Sequence, residues 1–212
     1  MKIGILGSGD VAKALGNGFL KYGYSVMLGT RSPEKLGEWK SKSKGTVGSF
    51  AEAAKFGEIV VLAVSGKEAG NVLAMAGTPN ISGKTVIDVT NPIDHSKQPE
   101  DGVLHYYTSM NESQMEILQE KFPDANFVKA FNSVGNAFMV DPPFSIKPSM
   151  FYCGNDESAK KQVKKIIEQF GWEPEDMGGA KAAGAIESLC VLWCIPGLRG
   201  NEWMHAFKLV KK

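Results

Sequence analysis

Arginine is almost missing from this chain: of 24 basic residues only Arg31 and Arg199 are arginines. Net charge is equally scarce. The 23 acidic residues leave a formal balance of +1, too little basic excess for a general nucleic-acid or membrane-surface role. There are three cysteines and three histidines. Three cysteines cannot all pair, and none stands at metal-ligand spacing with a histidine, so neither a disulfide framework nor a metal site is expected. Cys190 and Cys194, one helical turn apart, read as core thiols of a reducing compartment, which places the chain in the cytoplasm. Long apolar runs are lacking too. The longest late one, Leu189 to Ile195, is far too short to cross a bilayer, and the apolar N-terminus enters a glycine loop, not a cleavage site. Repeats and low-complexity stretches are absent.

What is present is a regular alternation of apolar runs and helical patterns. The 212 residues are 43% hydrophobic and 22% charged, which suits one moderate globular domain, or one domain with an appendage. Lys2–Leu6 reads as a buried strand. After it Val11, Leu15, Gly18, Phe19 and Tyr22 share one helical face, and Gly23 ends that helix. Tyr24–Gly29 is a second strand, and Ser32-Pro33-Glu34 a helix start. A short helix from about Phe50 to Lys55 precedes Ile59–Val64, an apolar run typical of a parallel strand covered on both faces. Then follow a helix over Lys67–Met75, a strand over Thr85–Val89 and a polar loop from Asn91 to Met110. A helix is marked by Met115, Leu118 and Phe122, and a strand by Asn126–Phe131. A second loop carries Pro142, Pro143 and Pro148. Met150–Cys153 is strand-like, and Ala159, Val163, Ile166, Ile167 and Phe170 form a helical stripe ended by Gly171. Trp172–Asp176 is a last short strand. From Ala180 the pattern is helical, interrupted at Pro196-Gly197. This order predicts a Rossmann-type, doubly wound α/β fold with a mostly parallel sheet and a small C-terminal helical appendage. The expected division is a nucleotide-binding domain over 1–177 and a helical segment over 178–212.

Gly7-Ser8-Gly9-Asp10-Val11-Ala12 follows the first strand and opens the first helix, the context in which the dinucleotide fingerprint has meaning. Gly7 permits the tight turn, Gly9 lets a pyrophosphate approach the backbone, and Ala12 is small enough for the helix to pack on the strand. The free amides of the helix start then face the phosphates. An NAD-binding protein usually places an acid after the second strand for the ribose 2′-hydroxyl. Here Thr30-Arg31-Ser32 stands in its place, two hydroxyls and a guanidinium suited to the 2′-phosphate of NADP(H). In a chain that otherwise relies on lysine, an arginine at this position answers a geometric demand.

With these residues in hand the chain resembles the NADPH:deazaflavin (coenzyme F-420) oxidoreductase-like family over nearly its whole length. The likeness lies in the glycine loop, Gly29-Thr30-Arg31-Ser32, Leu62-Ala63-Val64-Ser65 and Val86-Ile87-Asp88-Val89-Thr90-Asn91-Pro92. It continues through Val128-Lys129-Ala130-Phe131-Asn132-Ser133 and Ala185-Ile186-Glu187-Ser188-Leu189 with Leu192-Trp193. The soluble domain of six-transmembrane ferric reductases is similar as well. The resemblance implies hydride transfer between NADPH and a deazaflavin or flavin-like acceptor. The nicotinamide would lie among Ala63-Val64-Ser65-Gly66, Asn91-Pro92 and Phe131-Asn132-Ser133. Asn91 and Asn132 are candidates for polar positioning, Pro92 and Phe131 for walls, though an asparagine ending a strand also makes turns. Such a reaction needs no side-chain nucleophile, because the cofactors supply the electronics.

Two other readings stay open: a non-catalytic NADP(H) redox sensor, and an NADPH-dependent reductase of a small imine, carbonyl or quinone. His95 and His105, in the loop after Thr85–Val89, could shuttle a proton in the last case; His205 has no evident role. Lys160, Lys161, Lys164 and Lys165 are either a basic landing area for an acidic cofactor tail or a solvated helix face. Leu189, Val191, Leu192, Trp193, Ile195, Trp203, Met204 and Phe207 are a heavy apolar load for the last residues and point to a homodimer interface or a sheet cap. The expected partner is otherwise a small-molecule redox acceptor, with no nucleic acid and no membrane.

Overall fold

A computed structural model of the chain describes residues 1–109 and 111–212; Met110, the last residue of the first expected loop, lies outside them. Eight strands form one sheet: β1 (Lys2–Leu6), β2 (Ser25–Gly29), β3 (Thr46–Gly48), β4 (Ile59–Leu62), β5 (Thr85–Asp88), β6 (Asn126–Lys129), β7 (Ser149–Gly154) and β8 (Glu173–Asp176). The helices are α1 (Asp10–Lys21), α2 (Gly37–Lys42), α3 (Phe50–Phe56), α4 (Ala69–Ala76), α5 (Thr78–Ile81), α6 (Gln114–Lys121), α7 (Glu157–Gln169) and α8 (Ala183–Gly200). The strand order is β3-β2-β1-β4-β5-β6-β7-β8. All neighbours run parallel except β6 and β7, which pair antiparallel through Val128–Gly154 and Lys129–Cys153.

Successive strand residues point to opposite faces of a sheet, and the apolar runs use both. Ile3, Ile5, Ile59, Val61, Ile87, Val128 and Ala130 enter one core with α1, Trp39 of α2, and α7. Leu6, Val60, Leu62, Val86 and Phe127 enter the other with α3, α4, α5 and α6. This is why the strands read as continuous hydrophobic runs and not as alternating ones. The α7 stripe is fully buried as its spacing requires, from Ala159 through Phe170, and Asp156 caps that helix by accepting from the Ala159 amide at 2.7 Å.

The C-terminal part departs from its sequence reading. Pro196-Gly197 does not interrupt the helix: α8 continues to Gly200, where Asn201 takes a left-handed conformation (φ 56°) and ends it. The missing proline N–H removes only the bond to the carbonyl four residues back, that of Leu192. The Leu192 side chain is exposed, on the flank of α8 that faces solvent. With its preceding turn, 180–200 is a helical stretch of 21 residues, long and apolar enough by length and composition to cross a membrane. In the fold it is docked on protein, with Ala183 and Ile186 in one core and Trp193 in the other. Beyond it the chain has no regular secondary structure. The Phe207 carbonyl accepts from the Ser149 amide at 2.9 Å and the Leu209 amide donates to Ser149 Oγ at 3.0 Å. Lys208 and Lys211 pair with Glu173 and Glu175 of β8.

Candidate functional site

The strand order reverses direction between β1 and β4, and in open α/β sheets such a switch point leaves a crevice at the carboxyl ends of the strands. A cleft of about 510 Å³ opens there, within the range of small-molecule sites. The residues after β1 (Gly7, Ser8, Gly9, Asp10, Val11), after β2 (Thr30, Arg31, Ser32, with Lys35), after β4 (Ala63, Val64, Ser65, Gly66, Glu68) and after β5 (Val89, Thr90, Asn91, Ile93, His95) line it. From β2 to β5 is three strand spacings of about 4.8 Å, so the two ends lie roughly 14 Å apart across the sheet. A long, narrow ligand suits this shape.

The glycines of the first turn do different things. Gly7 has φ 152°, and a Cβ there would stand 2.1 Å from the Ala63 carbonyl oxygen, so only glycine lets β1 and β4 turn this closely together. A Cβ on Gly9, the N-cap of α1, would meet no atom within 4 Å. Its missing side chain opens space to the ligand side and is not needed for packing. No side chain caps α1, which leaves its leading amides available to an anion. Ala12 is fully buried beneath this turn, a packing residue that does not line the cleft.

At the β2 end Thr30 is buried and its Oγ1 accepts from the Ser32 amide at 3.1 Å, which fixes the turn that presents Arg31. The Arg31 side chain is largely exposed, with Nη1 3.8 Å from Glu68 Oε2. Together with Lys35 this end carries two cations and one facing carboxylate, a donor set that fits an additional phosphate.

At the β5 end the two asparagines meet. Asn91 Nδ2 donates to the Asn132 carbonyl at 2.8 Å, and Asn132 Nδ2 donates to Asn91 Oδ1 at 2.9 Å and to the Ile186 carbonyl at 3.0 Å. Asn91 lines the cleft; Asn132 and Pro92 are buried behind it. Phe131 is in the core at 5.8 Å from the Phe170 ring, not on the cleft wall. Its backbone is strained at φ 60°, a conformation costly for a bulky residue and held by the surrounding contacts; it turns the chain so that Asn132 reaches Asn91. A Cβ on Gly66 would fall 2.0 Å from the Asn91 carbonyl oxygen, so the β4 and β5 loops are in direct contact as well.

The family model for coenzyme F420-dependent NADP oxidoreductases matches residues 2–92. That match covers under half of the chain. Over 205 residues the chain is 26% identical to the F420-dependent NADP reductase of Methanocaldococcus jannaschii, covering 91% of this chain and 90% of that protein. It is 29% identical over 202 residues to metalloreductase STEAP3 of Rattus norvegicus, covering 93% of this chain but 38% of that protein. The chain thus spans well under half the length of the metalloreductases it matches. A crystal structure from Arthrobacter sp. FB24, of a candidate F420-dependent NADP reductase, superposes with a TM-score of 0.93 at 28% identity over 100% of both chains.

The family motifs also contain residues to which sequence reasoning assigned no role. Lys129 is completely buried, with Nζ 2.7 Å from Asp88 Oδ2, 2.8 Å from Glu187 Oε1 and 2.9 Å from the Thr90 carbonyl. Burial opposes its charge, but the two carboxylates outweigh it and hold its pKa above the ordinary lysine value. Asp88 Oδ1 accepts from the Thr90 amide at 2.9 Å and the Thr90 hydroxyl at 2.6 Å. Glu187, reaching from α8, accepts from the Gln114 and Met115 amides at 3.1 and 3.2 Å, which caps the start of α6. Gln114 donates to Thr90 Oγ1 and accepts from the Tyr107 hydroxyl; burial pushes that phenol up to about 12. The one available signal was a lysine and an aspartate set inside apolar strands, each of which must find a partner there.

Other sequence candidates fall elsewhere. Lys160 is buried against Glu157 and Asp176 at 2.7 and 3.2 Å, and none of the four α7 lysines lines the cleft. His95 does line it, His105 faces Glu100 at 3.7 Å, and His205 stacks on Trp193 with its Nε2 2.9 Å from the Trp193 carbonyl oxygen.

Proposed function

We propose that this chain is an NADPH-dependent oxidoreductase that transfers hydride between NADP(H) and a deazaflavin or flavin-like acceptor. The observation that carries the reading is the cleft at the β1/β4 switch point, with open space over Gly9 and with Arg31, Ser32 and Lys35 gathered at one end. In this reading the amides opening α1, beside Gly9, Asp10 and Val11, bind the pyrophosphate, and Thr30-Arg31-Ser32 with Lys35 hold the 2′-phosphate. Ala63, Val64, Ser65, Thr90 and Asn91 bound the nicotinamide. When bound, the nicotinamide supplies the hydride. The protein binds and orients it, keeps water from it with Val64, Val89 and Ile93, and fixes Asn91 through Asn132. Pro92 and Phe131 contribute from behind, as supports of this wall.

The division of labour we propose is nucleotide binding by 1–177, and acceptor contacts or homodimerisation by 178–212. Leu192, Leu198, Met204 and Val210 are exposed on α8 and the tail, which supports a two-fold interface; a monomeric mass in solution would remove that part. All three cysteines are free, which supports a cytoplasmic site of action. The test is purified protein mixed with NADPH and a panel of deazaflavin, flavin, quinone and imine acceptors. Loss of the reduced-nicotinamide absorbance with a deazaflavin or flavin is expected. Tight NADPH binding with no turnover by any acceptor would favour a redox sensor.

A further inference from the structure

The Asp88–Lys129–Glu187 cluster holds more charge than stability requires. Replacing buried ion pairs by apolar groups is often neutral or favourable, yet here three ionic side chains from β5, β6 and α8 meet with almost no solvent exposure. The Lys129 ammonium donates to the Thr90 carbonyl and stands 2.7 and 2.8 Å from the Asp88 and Glu187 carboxylates, and the hydrogen bonds on those carboxylates come from donors, Thr90 on Asp88 and the Gln114 and Met115 amides on Glu187. This is the arrangement of two ionised carboxylates sharing one ammonium, so the cluster carries one negative charge in excess. The α6 amides offset part of it at Glu187, and Tyr107, held protonated, adds none. The cluster lies directly beneath the cleft: Thr90 lines the cleft and at the same time bonds to Asp88 and Lys129. Of the other ionisable cleft residues, Arg31, Lys35 and Glu68 gather around the Arg31 end, Asp10 starts α1, and His95 follows Asn91.

We propose that the buried Asp88–Lys129–Glu187 cluster tunes the redox preference of the cleft, favouring the cationic, oxidised nicotinamide over the neutral, reduced one. The inference rests on the cofactor reading above, in taking the Thr90–Asn91 end as the nicotinamide end. A fixed negative charge below the ring attracts the oxidised form and is nearly indifferent to the reduced form. The adenosine half, common to both, cancels in their ratio. Low-dielectric surroundings make such a charge felt at distances where water would screen it.

The experiment is calorimetric titration of the wild-type protein and of Glu187→Gln, Asp88→Asn and Lys129→Arg with NADP+ and with NADPH. The wild-type protein is expected to bind NADP+ at least as tightly as NADPH, and tighter binding of NADPH overturns the proposal. Removing one carboxylate charge should raise the ratio Kd(NADP+)/Kd(NADPH) by about three- to tenfold, whereas Lys129→Arg, which keeps the charge, should leave it unchanged. An unchanged ratio in a carboxylate variant that still melts cooperatively overturns the proposal. Should one carboxylate variant fail to fold, the other carries the test, and the wild-type ratio decides if both fail. Failure of the wild-type protein to bind either nucleotide would instead strike the cofactor reading itself.

Discussion

Asn91 and Asn132 hold each other reciprocally, one amide on the other's main-chain carbonyl at 2.8 Å and the return amide on its partner's side-chain oxygen at 2.9 Å. The pair ties the loop after β5 to the loop after β6. Asn132 also reaches the Ile186 carbonyl and is buried, while Asn91 is half-buried. Leaving a buried polar group unpaired costs about 1–3 kcal/mol. Asn132→Ala is therefore expected to lower stability by about 2–3 kcal/mol and Asn91→Ala by about 1 kcal/mol. Urea unfolding checks the order, and an Asn91→Ala loss larger than that of Asn132→Ala would contradict this geometry.

Gly7→Ala and Gly9→Ala should separate folding from binding. The first places a methyl group against the Ala63 carbonyl at a positive φ, whereas the second places it in open space at φ −79°. We expect Gly7→Ala to lower Tm by several degrees. Gly9→Ala should leave the melting curve unchanged and weaken NADPH binding by at least about tenfold. Normal NADPH affinity in Gly9→Ala would remove the pyrophosphate from this turn.

In the proposed reading Arg31 sets cofactor choice. Hydrogen bonds to charged groups contribute about 1.5–3 kcal/mol, so Arg31→Ala should weaken NADPH binding by about ten- to a hundredfold and barely change NADH binding. Its neighbour Glu68, 3.8 Å away, competes with an incoming phosphate for the guanidinium. Glu68→Gln should tighten NADPH binding a few-fold, and only when Arg31 is present. Equal losses for both nucleotides in Arg31→Ala would refute the assignment.

The thiols should differ sharply in reactivity. Burial pushes Cys153 up to about 12. In the Cys190–Cys194 pair the hydrogen bond between them raises the buried Cys190 and lowers the more accessible Cys194. The thiolate is the reactive form. At pH 8 the native protein is expected to show one fast-reacting thiol per chain with an aromatic disulfide reagent, abolished by Cys194→Ser. Two fast thiols would show that α8 opens on that timescale.

The sheet and the Gly7 and Arg31 ends of the cleft lining were largely readable from the chain. The apolar strands, the α7 stripe and the Gly7–Ala12 turn obey local rules that leave their mark within a few residues. Other features depend on partners distant in sequence. β3 is three residues long and, with Thr46 exposed and its neighbours half-buried, has no apolar run to announce it. The antiparallel direction of β7 is a matter of connection, not of pattern. Pro196 stays helical because its lost bond falls on the solvent side, a fact about the fold and not about the dipeptide. Phe131 ends an apolar strand and reads as a wall, yet its left-handed backbone sends the ring to the core. Lys129 and Asp88 advertise themselves as misfits, but their shared partner Glu187 lies 58 positions after Lys129 in the chain.

That separation bears on how the molecule matures. A nascent chain presents Asp88 and Lys129 before Glu187, and the carboxylate that completes them emerges only with α8. Until then the Lys129 ammonium has one counter-charge, and the Gln114 and Met115 amides lack their acceptor. The floor of the crevice is consequently completed only once α8 has emerged, and removal of α8 should harm that floor more than the remote glycine turn.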